Sequence, residues 1–180
     1  MTGSTIRNAV HHWLDDSSKA EVIYGHISEW DTSTVTDFSF LFCGNSQWSE
    51  CHGNAGTFNE DINDWDTSSV TRMDRMFYLA SSFNQNLEDW DTSQVLTMEE
   101  MFVAAASFDG RINAWDVSSV RDMSSLFEKA TAFNQALDAW NPKKATSLEA
   151  MFSGATAFDK NIEGWDVKKV TTTQEMFYNA

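Results

Sequence analysis

The residues of this sequence that could do chemistry lie close together, between Phe42 and Phe58. This stretch contains both cysteines of the chain, Cys43 and Cys51, and His52 directly after the second one. Two cysteines eight positions apart in a glycine-rich segment are typical of a small disulfide, which persists in oxidising compartments. We therefore expect a disulfide first, free buried thiols second and a metal site third.

The metal site and a reactive thiol are the alternatives that this stretch leaves open. A metal would recruit His52, together with His26, to the two cysteines, but the C-x-x-C pairs of an ordinary zinc site are missing from the sequence. A nucleophilic thiol would need a paired histidine and an orienting carboxylate, and adjacency in sequence shows neither. We expect no catalytic residue, no cofactor and no bound metal.

Other patterns in the sequence also argue against an enzyme. The chain contains no P-loop, G-x-S-x-G, H-E-x-x-H or G-x-G-x-x-G motif. Adjacent acids such as Glu99 and Glu100 are expected on a solvated face rather than in an acid–base pair.

A repeat of 25 residues accounts for most of the chain. Tryptophans recur at intervals of 35, 25, 25, 25 and 25 residues, at Trp30, Trp65, Trp90, Trp115, Trp140 and Trp165. A valine five residues after the tryptophan and a Met-Phe or Leu-Phe pair recur with nearly the same regularity. A fixed period of this length is typical of a solenoid whose units bury their apolar faces against each other. The first interval is ten residues longer than the rest, so the stretch with the cysteines is an insertion in the repeat.

The second half of each unit has the spacing of an amphipathic helix. In one unit Val70, Met73, Met76 and Phe77 fall on one helical face. Pro142 marks the expected first helical position, which makes the residue before it the N-cap. The predicted N-caps are Asp31, Asp66, Asp91, Asp116, Asn141 and Asp166. The preceding tryptophan and the following valine are then the two positions of a hydrophobic staple.

The first half of each unit, residues 83–90 for example, is too short for another helix. We predict a turn and a short strand there, with neighbouring copies pairing as a parallel sheet. The polar position after each phenylalanine, such as Asn84, is expected to form a hydrogen-bonded ladder along the stack.

Three segments carry a family resemblance: FNEDINDWDTSSVTRMDRMF, FNQNLEDWDTSQVLTMEEMF and WDVSSVRDMSSLFEKATAFNQAL. They resemble the bacterial surface protein repeat of the BspA-like leucine-rich repeat family, which includes a mycoplasma-lipoprotein-type domain of unknown function. The resemblance implies an α/β fold, a leucine-rich-repeat-like solenoid of about six strand–helix turns with a short parallel sheet. It further implies adhesion or protein recognition, often outside the cell, and it implies no particular active site or ligand.

The sequence predicts one domain over residues 1–180. Residues 1–25 form an N-terminal cap, residues 26–57 the first turn with its insertion, and residues 58–180 the regular repeats. Residues 5–14 have helical spacing, and a possible first strand follows at Val22, Tyr24 and Ile27. No cap is expected at the C-terminal end, which suggests a fragment of a longer array or end-to-end self-association.

Charge restricts the class of partner. The net charge is −15, and residues 1–110 carry 18 acidic and 4 basic side chains whereas residues 111–180 carry 9 and 8. Nucleic acid is therefore an unfavourable partner, and no apolar run is long enough to span a membrane.

We expect a non-enzymatic recognition or adhesion module for a protein or glycan surface, including a basic one, located outside the cell or on its surface. The alternatives are a cytoplasmic scaffold and a small metal-binding module using Cys43, Cys51 and His52.

Overall fold

The computed structural model describes residues 1–45 and 47–180. Two helices begin the chain, α1 over Gly3–Asp15 and α2 over Ser17–Tyr24. Short 3₁₀ helices follow at Ile27–Glu29 and Gly53–Thr57. The rest of the described chain is a stack of turn-built repeats, in which each repeat lies on the next.

Helix α1 covers the first repeat, and its buried residues Ile6, Ala9, Val10 and Trp13 face the core. This confirms the helix expected over residues 5–14. The predicted first strand is wrong, because Val22 and Tyr24 belong to α2. Asp16 is the N-cap of α2 and accepts a hydrogen bond from the backbone N–H of Lys19 at 3.1 Å, which favours a second helix at this point.

Backbone hydrogen bonds in the repeats alternate between two kinds of partner. Every second N–H group donates to the next repeat: Met73 to Thr97, Arg75 to Glu99, Phe77 to Met101 and Leu79 to Val103. From Met76 onward, the N–H groups between them close tight turns within the repeat, as from Met76 to the carbonyl of Met73 and from Tyr78 to that of Arg75. The repeats are therefore joined to each other by main-chain bonds along this whole segment.

The helix predicted after each aspartate is wrong, and so is the strand–helix solenoid built from it. Arg75 and Leu79 have φ of 56° and 60°, and later repeats have positive φ at the equivalent positions. Such left-handed residues interrupt an α-helix. In each of these turns an N–H bonds to the carbonyl three residues earlier. Val70, Met73 and Met76 are nevertheless buried in the core, so the apolar spacing fitted both structures.

The predicted parallel sheet is also wrong, and the described residues do not form the leucine-rich-repeat-like α/β fold that we expected. Their parallel contacts are single bridges, linking Asp37, Arg72, Thr97, Asp122, Ser147 and Thr172 in succession. These bridges lie in the half of the repeat that was expected to be helical. In the half that was expected to be a strand, the N–H of Leu87 donates to the carbonyl of Arg111, and the predicted polar ladder accompanies this main-chain bond. The N–H of Asn84 donates to Oδ1 of Asn59, and that of Asp109 to Oδ1 of Asn84, both at 2.8 Å.

The core consists of columns of aromatic rings that run along the stack. Phe77 and Phe102 stack with centroids 5.3 Å apart, and Phe83 and Phe108 with centroids 5.9 Å apart. The two columns contact each other, because Phe77 and Phe83 lie only 4.0 Å apart. Burial of these large rings gives the turn-built repeats their cohesion.

Candidate functional site

The six tryptophans of the repeat are buried residues that stabilise the stack. Each of the six is at most 7% exposed. The indole N–H of Trp30 donates to the carbonyl of Gly25, at the end of α2. Each of the other five donates to a main-chain carbonyl of the preceding repeat, as from Trp90 to Ile62 at 3.0 Å and from Trp115 to Leu87 at 2.7 Å. A buried indole N–H needs such a partner. These residues hold repeats together and leave no group free for a ligand.

The aspartates of the repeat cap turns, whereas we predicted that they cap helices. Asp66 Oδ1 accepts hydrogen bonds from the backbone N–H and the hydroxyl of Ser68, and Asp31 does the same with Ser33. Asp91, Asp116 and Asp166 accept from the N–H two residues later in the same way. These bonds lower the pKa of Asp31, Asp66 and Asp116 below the usual value. At Asn141 the main-chain carbonyl takes the equivalent bond, from the N–H of Lys143.

The insertion contains the expected disulfide, between Cys43 and Cys51, with Cα atoms 4.7 Å apart. This confirms the first expectation and removes both alternatives that required a free thiolate, the cysteine metal site and the nucleophilic thiol. His26 and His52 take different partners, since His26 contacts Ser28 and Trp13 whereas His52 contacts Asp15 and His11. No group of three metal-binding side chains occurs among residues 1–45 and 47–180.

Several contacts fix the insertion between the cap and the second repeat. The N–H of Gly44 donates to the carbonyl of Tyr78 at 2.7 Å, and a Cβ at Gly44 would lie only 2.8 Å from the carbonyl oxygen of Leu79. On the other side, the amide of Asn54 donates to the carbonyl of Leu14 at 3.1 Å. The close approach at Gly44 explains the glycine next to the disulfide.

Histidines join the insertion to helix α1. His52 Nε2 lies 3.1 Å from Oδ1 of Asp15, and the rings of His11 and His52 are 5.3 Å apart. Burial and the neighbouring His52 lower the pKa of His11 below its usual value. The arrangement therefore favours the neutral form of His11 in the folded protein.

The insertion also builds an open cleft together with residues of the first three repeats. We call it the insertion cleft; it has a volume of about 420 Å³ and is lined by Phe40, Trp48, Glu50, Arg75, Tyr78 and Glu100. The ring of Trp48 lies 5.0 Å from that of Tyr78 and 6.1 Å, nearly perpendicular, from that of Phe40. Three half-buried aromatic rings thus meet beside charged side chains.

Arg75 is the cation of the insertion cleft, and carboxylates surround it. Its guanidinium contacts Glu100 at 2.8 and 2.9 Å and Glu99 at 3.0 Å, and its Cζ lies 5.6 Å from the ring centroid of Phe40. Partial burial opposes the charge, but the contact with Glu100 raises the pKa of Arg75 above its usual value. Burial raises the pKa of Glu99, and Arg75 opposes this rise.

Sequence reasoning missed the insertion cleft, although signals for it were present. Trp48 is one of two tryptophans outside the 25-residue period, and it falls within the insertion. Phe40 takes the repeat position where later units have Arg75, Glu100, Ser125, Ala150 and Glu175. An aromatic residue off the period and another at a normally polar position mark a departure from the packing pattern.

The comparison with known families agrees with one part of the resemblance, the mycoplasma domain of unknown function. The model of the family described as "Mycoplasma protein of unknown function, DUF285" matches residues 18–108 and 85–180. No curated protein and no solved structure shows significant similarity to the chain. No helix of the described residues is both long and apolar enough to cross a membrane. Because the matches span most of its length, the chain belongs to this DUF285 family.

Proposed function

We propose that the chain, as a member of this family, is a non-enzymatic recognition module that binds a partner protein. The observation that carries this proposal is the insertion cleft. Its rings and carboxylates lie on an accessible face, whereas the tryptophans and aspartates of the repeats are engaged in holding the stack. Aromatic side chains beside charged groups are enriched where proteins recognise each other.

The bridge residues extend this binding face along the stack. Asp37, Thr97, Asp122, Ser147 and Thr172 are partly exposed in a single row, so a partner seated at the insertion cleft would also contact successive repeats. Stacked repeats commonly use such continuous surfaces for binding.

A role outside the cell or on its surface is part of the proposal. The disulfide supports it, because such bonds persist in oxidising compartments. The likeness of the repeats to the bacterial surface protein repeat supports it as well, although the family match does not extend to that relationship.

Binding of the labelled full chain to arrays of immobilised proteins and glycans tests the proposal. We expect saturable binding to at least one protein, lost in Trp48→Ala and kept in Val22→Ala. Val22 is the control because it is an exposed apolar side chain of α2, 87% accessible, that lines neither the insertion cleft nor the row of bridge residues. Saturable binding to no protein, or equal binding by both variants, would contradict the proposal.

A further inference from the structure

We propose that the insertion cleft binds a lysine or arginine side chain of the partner protein. This inference rests on the proposed function and names the chemistry of the group that enters the cleft. Three sets of observations support it: the ring geometry, the position of Arg75 and the balance of charge.

The ring geometry provides faces for a cation. Trp48 and Phe40 stand at an interplanar angle of 81°, and Tyr78 lies against Trp48 at 42°, so the three rings do not form one flat stack. A cation within about 6 Å of such a ring is attracted by the negative face of the π-system, and tryptophan gives the strongest attraction.

Arg75 shows within the same cleft how a cation is accommodated. Its guanidinium lies 5.6 Å from the ring of Phe40 and forms ion pairs with Glu99 and Glu100. An incoming lysine or arginine would use Trp48 and Tyr78 in the same way, with the carboxylate of Glu50 as its counter-charge. Glu50 lies on the rim, is exposed, and accepts a hydrogen bond from the hydroxyl of Ser49 at 3.0 Å.

The charge around the cleft selects a cation over an anion or a neutral group. The carboxylates of Glu50, Glu99 and Glu100 outnumber the single guanidinium of Arg75, which gives a local charge of −2. The first 110 residues carry a net charge of −14, so the long-range field has the same sign. Such a field attracts basic partners and repels acidic ones.

Short capped peptides test the inference on the full chain. The probes are Gly-Gly-X-Gly-Gly with X as lysine, arginine, norleucine or glutamate, and cellotetraose serves as a neutral sugar. Binding is followed in two-dimensional NMR spectra by the backbone amide signals of Gly44 and Tyr78, because no variant substitutes either residue.

We expect saturable shifts with the lysine and arginine peptides and at least about fivefold weaker binding of the norleucine peptide, because it lacks the charge. Trp48→Ala should weaken binding about tenfold and Glu50→Gln about threefold, while the matched carboxylate control Glu163→Gln leaves it unchanged. Raising the salt from about 0.05 to 0.5 M should weaken binding further.

Two outcomes would overturn the inference. One is equal binding of the norleucine and lysine peptides, and the other is saturable binding of cellotetraose with none of the basic peptides. If either occurs while Trp48→Ala still abolishes binding to a protein on the array, the proposed function stands and only the cation is wrong. If neither a basic peptide nor any protein on the array binds in a way that depends on Trp48, the proposed function itself is contradicted.

Discussion

The regular repeats and the insertion use the same kinds of residue for different purposes. In residues 58–180 tryptophan is buried in a column, and its N–H bonds to the preceding repeat. In the insertion Trp48 is only half-buried and lies over Tyr78 at the edge of an open cleft. Carboxylates differ in the same way, since Asp116 caps a turn whereas Glu50 lies on the rim of the cleft.

This difference shows where a repeat protein has freedom to acquire a function. Every repeat packs against a neighbour on each side, so only a few residue types fit its apolar and turn-capping positions. An insertion that projects from the stack escapes this restriction once its own backbone is fixed. Here the disulfide and the approach of Gly44 to Leu79 fix it.

The largest expected effect is the loss of a stacked ring from the repeats. Trp90→Ala removes a side chain that is 3% exposed, its stacking on Trp115 and its hydrogen bond to Ile62. We expect the free energy of unfolding to fall by about 3–5 kcal/mol, as for other large buried aromatics. Urea unfolding followed by circular dichroism measures this, and a loss below about 0.5 kcal/mol would contradict the structural role of the column.

Removing the disulfide should have a smaller effect. Cys43→Ala combined with Cys51→Ala opens a short loop and is expected to lower the free energy of unfolding by about 2–3 kcal/mol. The wild type in reductant is the matched control and should lose a similar amount. Unchanged stability in both samples would mean that the other contacts of the insertion hold it without the bond.

A smaller effect is expected for a turn cap. Asp116→Ala removes the acceptor for the N–H of Ser118, which lies 2.9 Å away, and should lower the free energy of unfolding by about 1 kcal/mol. Asp116→Asn keeps a side-chain oxygen at this position and should retain most of the stability. Equal losses in the two variants would show that the turn does not depend on this bond.

The smallest effect is a pH dependence in the contact between cap and insertion. His11 faces His52, Asp15, Arg7 and the main chain of Glu50, and burial followed by His52 lowers its pKa. The unfolded chain therefore binds a proton more readily. The contribution of neutral His11 to the free energy of unfolding is fully present above the unfolded pKa of about 6.5. It is lost as the pH falls from that value through the lower pKa of the folded state.

Urea unfolding at pH 7 and pH 5 tests this prediction. We expect the wild type to lose more stability between the two pH values than His11→Gln, which cannot take up the proton. An equal loss in the two proteins would contradict the assignment to His11.

The sequence predicted the repeat and its disulfide but misassigned the backbone. Val70, Met73 and Met76 are buried as expected, yet spacing by three fits consecutive tight turns as well as a helix. An aspartate that accepts a bond from the N–H two residues later fits both a helix cap and a turn, so the left-handed φ of residues such as Arg75 and Leu79 is what distinguishes the two structures.

The insertion cleft was harder to predict, because its residues are far apart in the sequence. Phe40 and Trp48 come from the first repeat and its insertion, whereas Arg75 and Tyr78 come from the second repeat and Glu100 from the third. Only the stacking of the repeats brings them together, and the longer first interval hides which positions are neighbours.

The most direct test is the free energy of unfolding of Trp48→Ala, measured beside that of Trp90→Ala. It shows whether the tryptophan of the insertion is free of the packing that holds the repeats together. We predict that Trp48→Ala loses less than about 1.5 kcal/mol, because its half-buried ring leaves no closed cavity when removed. A loss of about 3 kcal/mol or more, equal to that of Trp90→Ala, would show that Trp48 belongs to the packing of the repeats and would contradict the account.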